Sequence, residues 1–406
     1  MKFIDNVNES DYRIFCNKYQ YHSFMQSYEW GEFNKQIRNM EYFHVGLLDD
    51  DNNLIATALL LKKKTPLNMS YIYSPRGFQI DFKNKELLTT FTTELKKFCK
   101  SHNAIYLKID PEINYQDIDD NGNKVESGAN NYEIFNNLIS LGYKHQGFGK
   151  LFDYNQPRYT FRIPFNEEFE STEKKISKTF MRTIKRSYYY DLEVVLNDDI
   201  KTFYDLLLKI SDKDKFLEYD YEYYQKMYDL LSTYNHIKMH SVIIKPDELL
   251  TKIKKDLETT PKVDENKTKL ERLEKDLEFF SKLEGKYPDG KIIASVISVY
   301  TNIGAWAIYI GNDDIAQYTF TVNRLYYEFT KYAHSKGLKF FDLYGTVGDP
   351  KTTYKNLAGI HEYKRKFGGD YIEFIGEFDI IFKPFWYILL PKLLWIYRKI
   401  KRILKK

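Results

Sequence analysis

The stretch KELLTTFTTELKKFCKSHNAIYLKIDPEI, residues 85–113, holds two periods end to end. Leu87, Leu88, Phe91, Leu95 and Phe98 recur at intervals of three and four, which predicts an amphipathic helix. AIYLKI then reads as a buried strand, halted at Asp110-Pro111 because proline fixes φ and has no N–H to donate. A helix feeding a buried strand is half of an α/β unit. The same succession returns in TVNRLYYEFTKYAHSKGLKFFDLYG, residues 321–345. The two stretches match in pattern, not in residues.

Upstream of the first unit, HVGLLDDDNNLIATALLLKKK (44–64) reads as a hairpin around an Asp/Asn turn, and MSYIYSPRGF (69–78) as a strand ending at a Ser-Pro-Arg-Gly corner. Upstream of the second, YTFRIP, LEVVL, KIIASVISVY and AWAIYIGND read as strands and KTFYDLLLKIS as a helix. Strand and helix therefore alternate twice. The expected fold is α/β (α+β), with two similar domains at 1–155 and 156–375, divided after Asn155-Gln156-Pro157-Arg158. From Pro246 to Pro288 the chain turns strongly charged. Leu249, Ile253 and Leu257, then Leu270, Leu273, Leu277 and Phe280, predict two helices split near Pro261, paired as an antiparallel coiled-coil arm at 246–288 that projects from the second domain.

Composition narrows the function classes. A net charge of +4 over 406 residues does not by itself demand a nucleic-acid partner. Cys16 and Cys99, the two cysteines, form neither a disulfide framework nor metal-ligand spacing, which fits a reducing cytoplasm. MKFIDNVNESD has no apolar core of the kind a signal peptide needs, so a cytoplasmic location is expected. At the other end, FKPFWYILLPKLLWIYRKIKRILKK is broken by Lys383, Pro391 and Lys392 and is a poor membrane span. Its apolar face ringed by lysine and arginine reads as an interfacial helix over 385–406, peripheral at the inner membrane face; a docked C-terminal helix with a solvated tail is the alternative.

No phosphate loop, HExxH or GxSxG motif is present, no histidine cluster has metal spacing, and no acetyl-CoA pyrophosphate loop is evident; no cofactor is called for. Asp110 ends a buried strand, where α/β sheets bind ligands; it could orient or deprotonate an amine, or simply cap the next turn. Arg76 stands on a rigid corner suited to a phosphate or carboxylate, or to a structural salt bridge. In SKTFMRTIKRSYYY, Lys178, Arg182, Lys185 and Arg186 recur at helical spacing beside tyrosines, which suits RNA or a solvated face. YKRKFGG, within AGIHEYKRKFGGDYIEFIGEFD (358–379), reads as a basic turn before a strand. An anion cradle, a nucleic-acid contact and a plain strand entrance all remain open there.

In order along the chain, SFMQSYEWGEFNK, YSPRGF, LKIDPEI, NQPR, SKTFMRTIKRS, a tyrosine-rich helix around Phe216–Tyr224, WAIYIGND, FDLYG and GIHEYKRKFGGDYIEFIGEFD resemble the Fem family of non-ribosomal peptidyltransferases (the FemA/FemB/FemX/MurM group). The closing motif is the most specific: Gly359, Lys364, Phe367 and Gly368 match, with Tyr363 in place of phenylalanine, and Gly376-Glu377-Phe378-Asp379 completes it. The resemblance implies two N-acetyltransferase-like domains, with 376–406 returning to the first, and a coiled-coil arm. It implies transfer of glycine, serine or alanine from aminoacyl-tRNA to the stem-peptide lysine, or growing bridge, of lipid II. It further implies a phosphate contact for Lys35, amine orientation or proton removal for Asp110, precursor contacts for Tyr223 and Tyr309, and a place near the transferred acyl group for Lys364. Where some members carry an arginine four residues before Tyr223, this chain has Tyr219, so precursor recognition there is expected to differ.

The implied reaction is aminolysis of an ester, which asks mainly for positioning and oxyanion stabilisation. Two rivals stand beside it: an acyl-CoA N-acyltransferase of the same fold, and a non-catalytic membrane-tethered module that holds tRNA or a partner. Self-association through the arm is a further expectation.

Overall fold

The computed structural model describes residues 1–19, 23–165, 168–214 and 219–393. It contains two mixed sheets. The first has seven strands in the order Lys2–Ile4, Glu41–Leu48, Leu54–Thr65, Met69–Ser74, Ala104–Ile109, Phe378–Ile381, Lys144–His145. The second has eight: Asn114–Asp117, Asp370–Phe374, Tyr159–Pro164, Phe340–Thr346, Gly304–Asn312, Lys291–Tyr300, Ile237–Ile244, Glu193–Asn197.

Each sheet holds one parallel pair, and each pair is joined by the helix that the opening periodicity predicts. Met69–Ser74 pairs with Ala104–Ile109 through the helix Lys85–Ser101, and Gly304–Asn312 pairs with Phe340–Thr346 through Thr321–Ser335. Parallel neighbours need such a crossover. Asn84 caps the first helix by accepting from the Leu87 N–H, and Leu87, Leu88, Phe91, Leu95 and Phe98 are all buried on the sheet. Asn114–Asp117 lies within 1–155 yet pairs with Asp370–Phe374 in the second sheet, while Phe378–Ile381 pairs with Ala104–Ile109 in the first. The chain thus crosses between sheets at both places.

An apolar cluster continues from one sheet to the other. Phe24 meets Trp306 and Phe33 meets Tyr223, with ring centroids 5.4 and 5.1 Å apart.

Two expectations are corrected here. The helices Pro246–Thr259 and Lys267–Ser281 do form an antiparallel hairpin, but it does not stand clear of the core. Leu249, Leu250, Ile253, Leu273 and Phe280 are buried in one cluster with Tyr190, Ile293 and Ala316. The tyrosine triplet after the basic helix ties it down: Tyr189 donates to Asp256 (2.9 Å) and Tyr190 to Asp276 (3.2 Å). Most of the apolar seam is spent on the core, which leaves little of it for a second copy. YKRKFGG, in turn, is a turn only in its second half: Tyr363 to Arg365 close the helix Lys355–Arg365, and the turn follows at Lys366 and Phe367. Phe367 is buried beyond it. Gly368 has φ +73°, and a Cβ there would sit 2.2 Å from the Lys175 carbonyl oxygen, so only glycine fits.

Among the described residues no helix is long and apolar enough to cross a membrane. Of the expected interfacial helix, residues 394–406 lie outside the described residues. Its first turns dock on the first sheet through Leu390 and Tyr387, whose hydroxyl donates to Asp379 (2.7 Å).

Candidate active site

The parallel pair of the second sheet stays in register only from Gly304/Phe340 to Trp306/Asp342, after which the strands part. Between the parted halves opens a cleft of about 1700 Å³, with Ile308 and Tyr309 on one wall and Leu343, Tyr344 and Gly345 on the other. FDLYG explains the divergence. Asp342 is buried, and its carboxylate accepts from the Tyr344 N–H (2.7 Å), from Arg162 (2.9 Å) and from Thr160, while the pairing with Tyr159–Pro164 slips between Asp342 and Gly345. Tyr344 adopts φ +62° at that slip, a conformation costly for a bulky side chain. Gly345 packs so closely on Pro157 that a Cβ would lie 2.5 Å from its ring.

The strained carbonyls that result point at Lys364. Its Nζ donates to Tyr344 O (2.9 Å) and Gly345 O (2.7 Å) from the last turn of its helix. Burial lowers its pKa to about 8, a shift that Asp342 opposes. An ammonium has three N–H bonds, so one remains for a ligand in the cleft it lines.

Asp110 is placed differently from expectation. It lines neither this cleft nor the small cavity beside it. At 3% exposure, one carboxylate oxygen accepts from the Arg76 N–H (2.7 Å) and the other from the Tyr73 hydroxyl (2.8 Å). Burial raises its pKa to about 7, against the pull of Arg76, with Glu377 adding to the rise. Its evident work is to hold Arg76, whose φ is +52° and whose guanidinium donates to Pro157 O (2.7 Å) and lies 4.6 Å from the Phe374 ring. Arg76 faces the small cavity between the sheets, together with Glu112, Asp342 and Tyr344. Arg76, held by Asp110, and Lys364 therefore lie on the two sides of the Pro157–Gly345 contact.

Three expected tyrosines come together. Tyr219 stacks on Tyr223 (3.8 Å, 12°), and the Tyr223 and Tyr309 hydroxyls are 3.2 Å apart. Tyr219 is 47% exposed and lines the cleft with Tyr309, whereas Tyr223 is buried behind them. A residue the sequence reading missed joins them: Arg38 donates to the Tyr219 hydroxyl (3.3 Å), and its guanidinium lies 5.7 and 5.9 Å from the Tyr219 and Tyr223 rings. It shares the helix Tyr28–Arg38 with exposed Lys35, one turn away. The three-residue spacing of Lys35 and Arg38 is the signal that could have found it. Lys35 Nζ lies 3.7 Å from Glu32.

The four basic residues of the helix Lys178–Ser187 divide. Lys178, Arg182 and Lys185 are exposed at helical spacing along one side. Arg186 turns inward: it donates to the Tyr190 hydroxyl (3.0 Å), lies 3.7 Å from buried Asp276 of the arm and stands 5.2 Å from the Phe320 ring. Its place on an open basic face is thus corrected, because the arm supplies a carboxylate that draws it in. The helix is tied to the cleft, since Asn323 donates to Thr183 (2.8 Å) and accepts from Tyr363 (2.9 Å), the neighbour of Lys364.

Where the strand Gly304–Asn312 ends, Asp313 accepts from the Ile315 and Ala316 N–H groups (3.0 and 3.1 Å), and Lys291 pairs with the same carboxylate. A carboxylate therefore holds the backbone donors that a coenzyme pyrophosphate would need at this strand end.

Comparison with known proteins agrees with this architecture. The sequence model of the FemAB family matches residues 7–393. The lipid II:glycine glycyltransferase of Staphylococcus haemolyticus (strain JCSC1435) is 25% identical over 430 residues, covering 98% of this chain and 99% of that protein. The protein of the same name from Staphylococcus aureus is 26% identical over 436 residues, covering 99% of each. The crystal structure of FemX superposes with a TM-score of 0.80 at 23% identity, over 96% of this chain and 100% of that one, and shows the same mixed α/β fold.

Proposed function

The chain belongs to the FemAB family, and from that premise we propose that it transfers an amino acid from aminoacyl-tRNA to the stem-peptide lysine of lipid II. The observation that carries the proposal is the family match over nearly the whole chain, joined to a cleft that ends at a lysine with one free N–H. Glycine is the amino acid we assign, because full-length relatives are named for its transfer to lipid II.

In this reading the acyl ester lies in the cleft with its carbonyl toward Lys364. The third N–H of the ammonium meets the oxygen as it becomes an oxyanion, and its charge falls where negative charge develops. With a pKa of about 8, the same group can return a proton to the departing ribose oxygen. The stem-peptide amine attacks as the free base, the C–N bond forms, the C–O bond to ribose breaks, and the amine's proton leaves to solvent or a neighbouring group. Asp110 serves as a positioning residue: it fixes Arg76, which faces the gap between the sheets. Lys35, Arg38, Tyr219, Tyr223 and Tyr309 form the acceptor side, with Arg38 supplying from another helix the cation that Tyr219 lacks. Lys178, Arg182 and Lys185 take the phosphates of the donor RNA.

We also assign a peripheral membrane contact to the C-terminal segment. Tyr387 and Leu390 hold its helix to the first sheet, while Phe385 and Ile388 face outward at 69% and 66% exposure ahead of the basic sequence RKIKRILKK. The Asp313 cap argues against coenzyme A as donor.

One experiment tests the whole reading: incubate the protein with lipid II and a mixture of charged tRNAs, and weigh the product. A lipid II heavier by one glycine is expected. No product from any charged tRNA, or a product formed only when acyl-CoA is supplied, would overturn it.

A further inference from the structure

Phe320 is a bulky residue at φ +56°, where L side chains are strained. Arg76 and Tyr344, both at the site, share that left-handed backbone, and each of the three lines one of the two cavities. Tyr344 earns its conformation by aiming a carbonyl at Lys364, and Arg76 is held by Asp110. The Phe320 N–H closes a turn on the Gln317 carbonyl and its own carbonyl accepts from the Arg324 N–H at the start of Thr321–Ser335, while its side chain gives that helix no cap. The conformation joins the turn at Gln317 to that helix and, with it, sets the ring on the cleft wall.

The surroundings of that ring are specific. The Arg186 guanidinium lies 5.2 Å from its centroid, and Arg186 is itself fixed by the Tyr190 hydroxyl and by Asp276 of the arm. Phe279 of the same arm helix lines the cleft with Phe320, and its ring stacks on Tyr318 at 3.9 Å and 5°. Arg186 lies one turn beyond Arg182 on the helix that presents Lys178, Arg182 and Lys185, and Asn323 joins that helix to the Lys364 end of the cleft. A strand of RNA with its phosphates on the three exposed cations and its 3′ ester at Lys364 would pass this ring.

We infer that Phe320, backed by Arg186, is the stacking platform for the terminal nucleobase of the donor RNA, and that the arm sets this platform through Asp276. The inference rests on the aminoacyl-tRNA reading and locates one subsite within it. A π-face over a guanidinium suits any base, so the platform grips the end of the RNA without reading its sequence.

The test measures binding of the full chain to two RNA hairpins with single-stranded 3′ tails, one intact and one lacking only the terminal base. Wild type should bind the intact hairpin about 5- to 150-fold more tightly, the range that base–aromatic stacking gives. Phe320→Asn is the decisive variant, since asparagine tolerates the left-handed backbone and so removes the ring without threatening the fold. It should bind both hairpins alike, at the wild-type affinity for the baseless one, while Phe320→Tyr should keep the preference. Equal binding of the two hairpins by wild type, or a preference that survives Phe320→Asn, overturns the platform and leaves the donor reading standing. No binding of either hairpin overturns both.

Discussion

Replacing Lys364 by methionine keeps the stem of the side chain and removes the ammonium, which separates catalysis from packing. In the wild type, burial holds the pKa at about 8 instead of 10.5. A group charged at neutral pH under that penalty costs about 3 kcal/mol of stability, at about 1.4 kcal/mol per tenfold. Methionine relieves that cost and leaves the Tyr344 and Gly345 carbonyls without their donor, a loss of about 1–3 kcal/mol each. The opposing changes leave the variant within about 2 kcal/mol of wild type at pH 7. The pH dependence is sharper. Between pH 8 and 10.5 the folded wild type binds fewer protons at this site than the unfolded chain, so its stability rises with pH there. Relative to Lys364→Met, wild type should gain about 2 kcal/mol between pH 7 and 9.5. Urea denaturation of both proteins at the two pH values reads this difference, in which titrations common to both cancel. Transfer should meanwhile fall about 10²- to 10³-fold in kcat, as for loss of one oxyanion donor. A stability difference that stays flat with pH, or wild-type transfer with both substrates saturating, would refute the reasoning.

Three further outcomes are expected. Asp110→Asn keeps an acceptor for Arg76 and removes a carboxyl with a folded pKa of about 7. Because folded Asp110 binds more protons than unfolded between pH 4 and 7, wild type should lose about 2–3 kcal/mol relative to the variant from pH 5 to pH 8, read by urea midpoints. Arg38→Ala should raise KM for lipid II about tenfold or more while leaving KM for charged tRNA unchanged, since a charge-assisted contact is lost on the acceptor side alone. Gly345→Ala forces a Cβ to within 2.5 Å of Pro157, so the chain must shift: stability should drop by about 1–3 kcal/mol and kcat should fall with KM for either substrate little changed.

The periodic elements were legible because burial on one face writes itself into the sequence. The helices at 85–101 and 321–335, the strands they feed and the two arm helices all declare themselves through apolar spacing. Sequence spacing is silent about what a helix packs on. The arm's leucines read as a self-contained seam, while in the fold they also meet Tyr190, Ile293 and Ala316. The helix Lys355–Arg365 was hidden for the opposite reason. It buries few apolar side chains, has no side-chain N-cap, and ends in lysine, arginine and paired glycines, the marks of a turn.

The site shows a similar divide between residue type and geometry. Lys364 was named by motif, but its setting depends on two carbonyls beside a strained Tyr344, and a carbonyl leaves no trace in a sequence. Asp110 read as a base, an amine orienter or a turn cap, because carboxylates at strand ends commonly face a ligand. Two donors, Tyr73 and the Arg76 backbone, claim both of its oxygens, and neither can be paired with it by spacing alone. Arg38 is the reverse case, an ordinary helical arginine in sequence that becomes the cation among three tyrosines only because Tyr219 and Tyr223 lie some 180 residues further along the chain. Strain connects these cases. A backbone held at positive φ by a buried carboxylate, as Asp342 holds Tyr344 and Asp110 holds Arg76, cannot relax when substrate departs, so each group stays aimed between turnovers. In the proposed reaction both buried aspartates therefore serve through the conformation they impose and not through contact with what reacts.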